Sequence, residues 1–348
     1  MTRLLAVLGL LCGAAQAGTG AEGITFSHLD WDLVCDNTRT CRAAGYNAAD
    51  GSGPPASLLL TRAAGPDQPV RAEFRTERLD DMPDKLDSAP LTMTIAGRPA
   101  GTLVARRDRP AGELSRAQVE ALLPALLAPL PEGVGVLALS GPGGTWRVSG
   151  AGATAVLLKM DDVQGRIGTP GALVRKGSKA EAAVPPALPA PVVAARPLPA
   201  SFALPAARLS ALAAVLRKAP AGQDCEGLDP AAPLELTARQ PSAGKMLVTA
   251  LCHAGSRERV YALWIVNAVP PYAPALVADD ITDFSADKVR SLHAMHECAS
   301  AEERSWTGRA FVLTRAHTSG QCAGRLFPYG AWQLPTFVTD VRLPGSRP

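Results

Sequence analysis

The sequence predicts an α+β fold: two small domains of mainly antiparallel strands with segregated helices, joined by a Pro-rich linker. Three observations lead there. Short apolar or alternating runs bounded by Gly, Pro, Asp and Asn recur along the chain, which is the signature of strands and tight turns. Only three segments carry a helical period, and they do not alternate with strands as βαβ units would. Between residues 182 and 207 the run AAVPPALPAPVVAARPLPASFALPAA keeps neither period, because prolines recur every few residues.

In order along the chain, the first segment is MTRLLAVLGLLCGAAQAG, with one positive charge at Arg3, an apolar run and small residues ending at Ala17. This is the layout of a secretory signal peptide spanning 1–17, cleaved after Ala17. Its apolar run is too short to span a bilayer, and no other apolar stretch reaches about 18 residues, so the mature chain is expected to be soluble outside the cytoplasm. Loss of Arg3 lowers the formal charge from +3 to +2. So small and scattered a charge gives no case for a nucleic-acid partner. The remaining chain exceeds what one core usually supports, which predicts an N-terminal domain over 22–180, a Pro/Ala-rich linker over 181–203 and a C-terminal domain over 204–348.

Within the first domain WDLV, TCRAAGY, SLLLTRAA, VRAEFRT and LTMTIAG read as strands. LSRAQVEALLPALLAPL reads as a helix with Ser115 as N-cap, shortened or kinked by Pro124. TWRVSGAGATAVLLKMDDVQG reads as a strand and a second helix closed by Gly165. In the second domain PAARLSALAAVLRKA is an amphipathic helix, followed by strands at LELTAR, KMLVTALCH, RVYALWIVN, FVLTRA and TFVTDVRL.

Signal cleavage removes Cys12 and leaves six cysteines, an even number in an exported chain. Cys35 and Cys41 lack the second close pair a zinc site needs and the C-x-x-C spacing of a redox centre. A strand, a polar turn at Asp36-Asn37-Thr38 and a second strand place a disulfide across the hairpin mouth instead. Pairing within domains gives Cys35–Cys41, Cys225–Cys252 and Cys298–Cys322. Chain-entropy arithmetic for loops of these sizes gives roughly 2.4, 3.6 and 3.5 kcal/mol.

Three ordered motifs are spread along the mature chain. They are W-x-x-x-C-D-N-x-x-x-C-x-A at Trp31 to Ala43, M-D-D-x-Q-G-R-x-G-T at Met160 to Thr169 with ALVRKG after it, and W-T-G-R-A-F-x-L…C-A-G…W-Q-L-P near the end. Together they resemble the bacterial exported family numbered 1176 among the domains of unknown function. The resemblance implies an exported, disulfide-bearing protein and brings no established activity. The chain departs from the family pattern at SLHAMHEC, where a glycine-rich, charged approach to the cysteine is expected.

Candidate chemistry is sparse. His293, His296 and Cys298 form the densest group of metal-ligand types, but H-x-x-H-x-C is not a standard zinc spacing and Cys298 is assigned to a bridge, so a solvated loop and no metal or cofactor are expected. His253 and His317 stand alone, there is no G-x-S-x-G, and SGPGGT lacks the lysine and helix of a phosphate loop, so it reads as a hairpin turn. The binding candidates are Asp161, Asp162, Gln164 and Arg166. The two aspartates end a helix, where the dipole disfavours each by roughly 0.3–1 kcal/mol, so Arg166 or Arg175 should pair with them and lock the turn, or the cluster holds a ligand. The function expected is a non-catalytic periplasmic binding or interaction module for a protein, peptide or envelope component; the alternative is a periplasmic hydrolase or transferase using the Asp161/Arg166 region.

Overall fold

The computed structural model describes residues 23–48, 54–76, 90–104, 111–129, 135–141, 144–255, 258–295, 298–320 and 331–345. Strands β1 (Ile24–His28), β2 (Trp31–Cys35), β3 (Cys41–Tyr46), β4 (Ala56–Arg62) and β5 (Val70–Thr76) form successive antiparallel pairs. Strands β6 (Pro90–Ile95) and β7 (Arg98–Val104) begin a second sheet, and β8 (Ala111–Glu113) returns to the first beside β5. After α1 (Arg116–Ala125), β9 (Leu137–Gly141) and β10 (Gly144–Val148) complete the second sheet in the order β10-β9-β6-β7, and α2 (Ala153–Val163) follows. Inner faces of both sheets share one core with α1 and α2.

Local chemistry explains the boundaries. Ser115 and Gln118 form a reciprocal capping box at the start of α1, and Pro124 sits in its last turn. Ala96 and Gly97 both take positive φ, as a two-residue turn between β6 and β7 requires. The α2 helix closes on Gly165 at φ +68°. SGPGGT contributes its outer residues to β9 and β10, with 142–143 outside the described residues. Trp31 lies opposite Gly45, where a Cβ would stand 2.3 Å from the indole; glycine makes room for the ring, whose Nε1 donates to Ser149 O at 2.8 Å.

The remaining chain runs through a 3-10 turn (Glu181–Ala183), β11 (Val192–Ala194), β12 (Ser201–Phe202) and α3 (Ala206–Leu216). Then come β13 (Leu236–Ser242), β14 (Lys245–Ala254), β15 (Arg259–Asn267), β16 (Ala275–Phe284), β17 (Lys288–Met295), β18 (Cys298–Trp306), β19 (Phe311–Thr318), β20 (Leu334–Val338) and β21 (Asp340–Arg342). β12 to β20 form a nine-stranded antiparallel sheet in which every strand lies beside its neighbours in sequence. The apolar stripe of α3 packs on Met246, Val248, Trp264 and Val266. A second cluster gathers Leu247, Leu263, Ile281, Val289 and Trp306, with Leu198 packed against it.

Two expectations change. The Pro-rich segment holds two short strands: β11 pairs in parallel with β21, and β12 joins the edge of the meander. Val192, Val193 and Ala194 lie between Pro191 and Pro197, so their N–H groups are free to pair. The stretch around His293, expected as a solvated loop, is strand through Met295 and resumes as strand at Cys298; 296 and 297 lie outside the described residues. Disulfides join Cys35 to Cys41 and Cys225 to Cys252. Cys298 is also disulfide-bonded, while Cys322 lies outside the described residues. No described helix is long and apolar enough to cross a membrane.

Candidate functional site

The hairpin between β2 and β3 is the hub around which the motif residues gather. Cys35 and Cys41 are partners in the strand register, so their disulfide closes the turn they flank. Inside it the Asp36 carboxylate accepts from Thr38 N (2.9 Å), Thr38 Oγ1 (2.6 Å) and Thr40 N (3.2 Å), and pairs with Arg42 Nη1 at 2.9 Å. That self-capping lets neighbouring groups face outward. Asn37 Nδ2 donates to Val338 O at 3.0 Å and its Oδ1 accepts from Val338 N at 2.8 Å, so one side chain replaces a strand partner for β20. Gly23 N donates to Thr336 O, Trp332 Nε1 donates to Ser57 Oγ at 2.7 Å, and Arg75 donates to Ala331 O and lies over the Trp332 ring.

Gln164, at the C-cap of α2, reaches the same hairpin. Its Nε2 lies 3.1 Å from Arg39 O, 3.0 Å from Arg62 O and 3.3 Å from Ala63 O. Asp161 accepts from Leu173 N (2.7 Å) and Val174 N (2.9 Å) and pairs with Arg62 Nη1 at 3.5 Å. Arg166 does not pair with either aspartate. Its Nη1 meets Glu181 Oε1 at 2.8 Å, its Nε donates to Gln164 Oε1, and its Nη2 donates to Ala63 O and Gly65 O. Asp162 is exposed and pairs with Lys159 at 2.8 Å. The pairing of Arg166 or Arg175 with the two aspartates expected from the sequence is absent among the described residues; Arg62 is the counter-ion of Asp161, Lys159 that of Asp162 and Glu181 that of Arg166.

The electrostatics follow from burial. Asp161 and Arg166 are 0 % exposed, Gln164 1 % and Arg62 4 %. Burial pushes the Asp161 carboxyl above its ordinary value, against the pull of the Val174 and Leu173 N–H groups and of Arg62. Burial, then Arg166, brings Arg62 down to about 10, with Asp161 and Glu181 opposing. Burial likewise lowers Arg166. For Glu181 burial acts upward, but the Gly171 N–H and Arg166 help to outweigh it and the carboxyl ends below its ordinary value. Chemically this is a closed ion network that ties segment 171–181 to the ends of β4 and α2.

The motifs quoted from the sequence therefore meet in space: Trp31 to Ala43, Met160 to Thr169 and the Trp332 segment all close on the first sheet. A family model described as "Protein of unknown function (DUF1176)" matches residues 25–339. The chain belongs to the DUF1176 family. Neither the curated proteins nor the solved structures contain a match to it.

Other titratable groups of this DUF1176 chain lie outside the lock. Asp280 accepts from Ser291 Oγ at 2.7 Å and meets His293 Nε2 at 2.7 Å. Because the carboxylate stands between hydroxyl and imidazole, the trio is not a Ser–His–Asp relay. His253 Nδ1 lies 3.4 Å from Glu226 Oε2. Among the described residues no three His, Cys, Asp or Glu side chains cluster as a metal site. What adjoins the lock is a cavity of about 950 Å³ between α1, the start of β5 and residues 170–176. Leu114, Val119, Leu123 and Leu173 supply apolar lining, Arg71 and Lys176 supply charge, and Arg62 belongs to both cavity and lock. No sequence signal marks this cavity, since its walls come from four separated segments.

Proposed function

We propose that the protein is an exported, disulfide-stabilised, non-catalytic periplasmic binding or interaction module whose ligand surface is the cavity along α1. In this reading residues 1–17 are a signal peptide removed after Ala17, the mature chain folds as two α+β units over 22–180 and 204–348, and the Pro/Ala-rich stretch 181–203 connects them. The partner is a periplasmic protein, a peptide or another envelope component. One observation carries the proposal: the open cavity, with apolar lining and charged side chains, is backed by the buried Arg62–Asp161 and Arg166–Glu181 ion pairs, which hold its wall in shape. Two buried disulfides suit an oxidising compartment. A hydrolase or transferase acting through Asp161 and Arg166 would need substrate to reach groups that are fully buried and already bonded to their own chain.

The test places a photoreactive residue at exposed Lys176 or Arg116, on the cavity rim, and at exposed Val312 as a control. Irradiation of cells exporting the protein should give a discrete cross-linked product from the rim positions and none from Val312. No product from the rim, or the same product from all three positions, overturns the assignment.

A further inference from the structure

The nine-stranded sheet carries a second polar site, remote in sequence from the lock. Strand register sets Arg290 of β17 opposite Glu303 of β18, and Glu303 opposite Arg315 of β19. The next rung on the same face is Leu292, Ala301 and His317. Glu303 is neutralised by Lys288, whose Nζ lies 2.6 Å from its Oε2. Asp283 is opposite Arg290 on β16 but makes no ion pair with it. Arg290 and Arg315 thus flank an already satisfied carboxylate, and neither guanidinium has an ion-pair partner among the described residues.

Two buried nitrogens on this face lack hydrogen-bond partners: Arg290 Nε and His317 Nδ1, the latter in a side chain only 7 % exposed. Burial, then Arg315 and Arg290, hold the His317 imidazole below its ordinary pKa, with Glu303 opposing. Groups this buried are nearly always paired in folded proteins. Two guanidinium charges without an ion-pair partner, beside an imidazole whose Nδ1 is unbonded, favour an acceptor that carries negative charge. We propose that Arg290, Arg315 and His317 form a binding site for an oxyanion, the carboxylate or phosphate group of a ligand entering from the exposed Arg315 side. The site is independent of the α1 cavity.

The experiment follows the His317 imidazole resonance by NMR while inorganic phosphate, or separately acetate, replaces chloride at constant ionic strength. A saturable shift with either anion is expected. A shift with phosphate alone assigns a phosphate group, and a shift with acetate assigns a carboxylate. Arg315→Gln, a surface change, should weaken the apparent affinity about tenfold or more, the loss of one charge-assisted hydrogen bond. Arg290→Gln should do the same, and Arg309→Gln, away from the site, should not. No saturable shift with either anion overturns the proposal, as does an affinity unchanged by Arg315→Gln.

Discussion

Replacing Arg166 by methionine keeps most of the side-chain volume and removes every donor, so it isolates the polar part of the lock. The change breaks the 2.8 Å ion pair to Glu181 and the bonds to Gln164 Oε1, Ala63 O and Gly65 O. Breaking a buried ion pair from one side costs about 3–5 kcal/mol, because the partner stays behind unpaired. Glu181 keeps 17 % side-chain exposure and a bond from Gly171 N, which places the expected loss near the lower bound, about 3 kcal/mol. Against a total stability of about 5–15 kcal/mol this is a large fraction. Denaturant unfolding should show a lower midpoint with unchanged slope. A loss below about 1 kcal/mol, the size expected for an exposed cap or surface pair, would refute the reasoning.

Further outcomes follow from the same geometry. Asn37→Ala removes both bonds to Val338 and should cost roughly 1–3 kcal/mol, with faster exchange at the Val338 amide; unchanged exchange there would mean that β20 is held otherwise. His317 has a folded pKa below its ordinary 6.5, so the native state binds fewer protons than the unfolded one in that window. Its contribution is fully present above 6.5 and is lost as pH falls toward the folded value, so His317→Gln should flatten the decline in stability over that range; equal slopes for both proteins would count against the buried neutral imidazole.

Much of the local structure was legible because its causes are local. Ser115 begins α1, Gly165 ends α2, and the register of WDLVC against CRAAGY puts Cys35 beside Cys41. The counter-ions of the lock were not legible. Arg62 lies about a hundred residues from Asp161 and Glu181 lies in a segment read as linker, so no spacing announces either pair. Strands β16, β17 and β18 were missed for another reason. Charged and small residues interrupt their few apolar ones, as in ALVADDITDF and CASAEERSW, so neither strict alternation nor an apolar run marks them. The first-sheet strands gave the opposite signal, continuous apolar runs, because β2, β3 and β4 are covered on one face by the core and on the other by Ala331, Trp332 and Leu334.

Asp161, Gln164 and Arg166 of the M-D-D-x-Q-G-R segment form an interior lock, and the proposed ligand contacts lie elsewhere. Native-state hydrogen exchange at three amides tests it most directly: Leu173 and Val174, which donate to Asp161, and Gly171, which donates to Glu181. If the network is a closed lock, all three should exchange only through openings close in free energy to global unfolding, and Arg166→Met should selectively release Gly171. Exchange of Leu173 and Val174 at rates typical of mobile loops in the wild-type protein would contradict the account and return the segment to consideration as a ligand-binding loop.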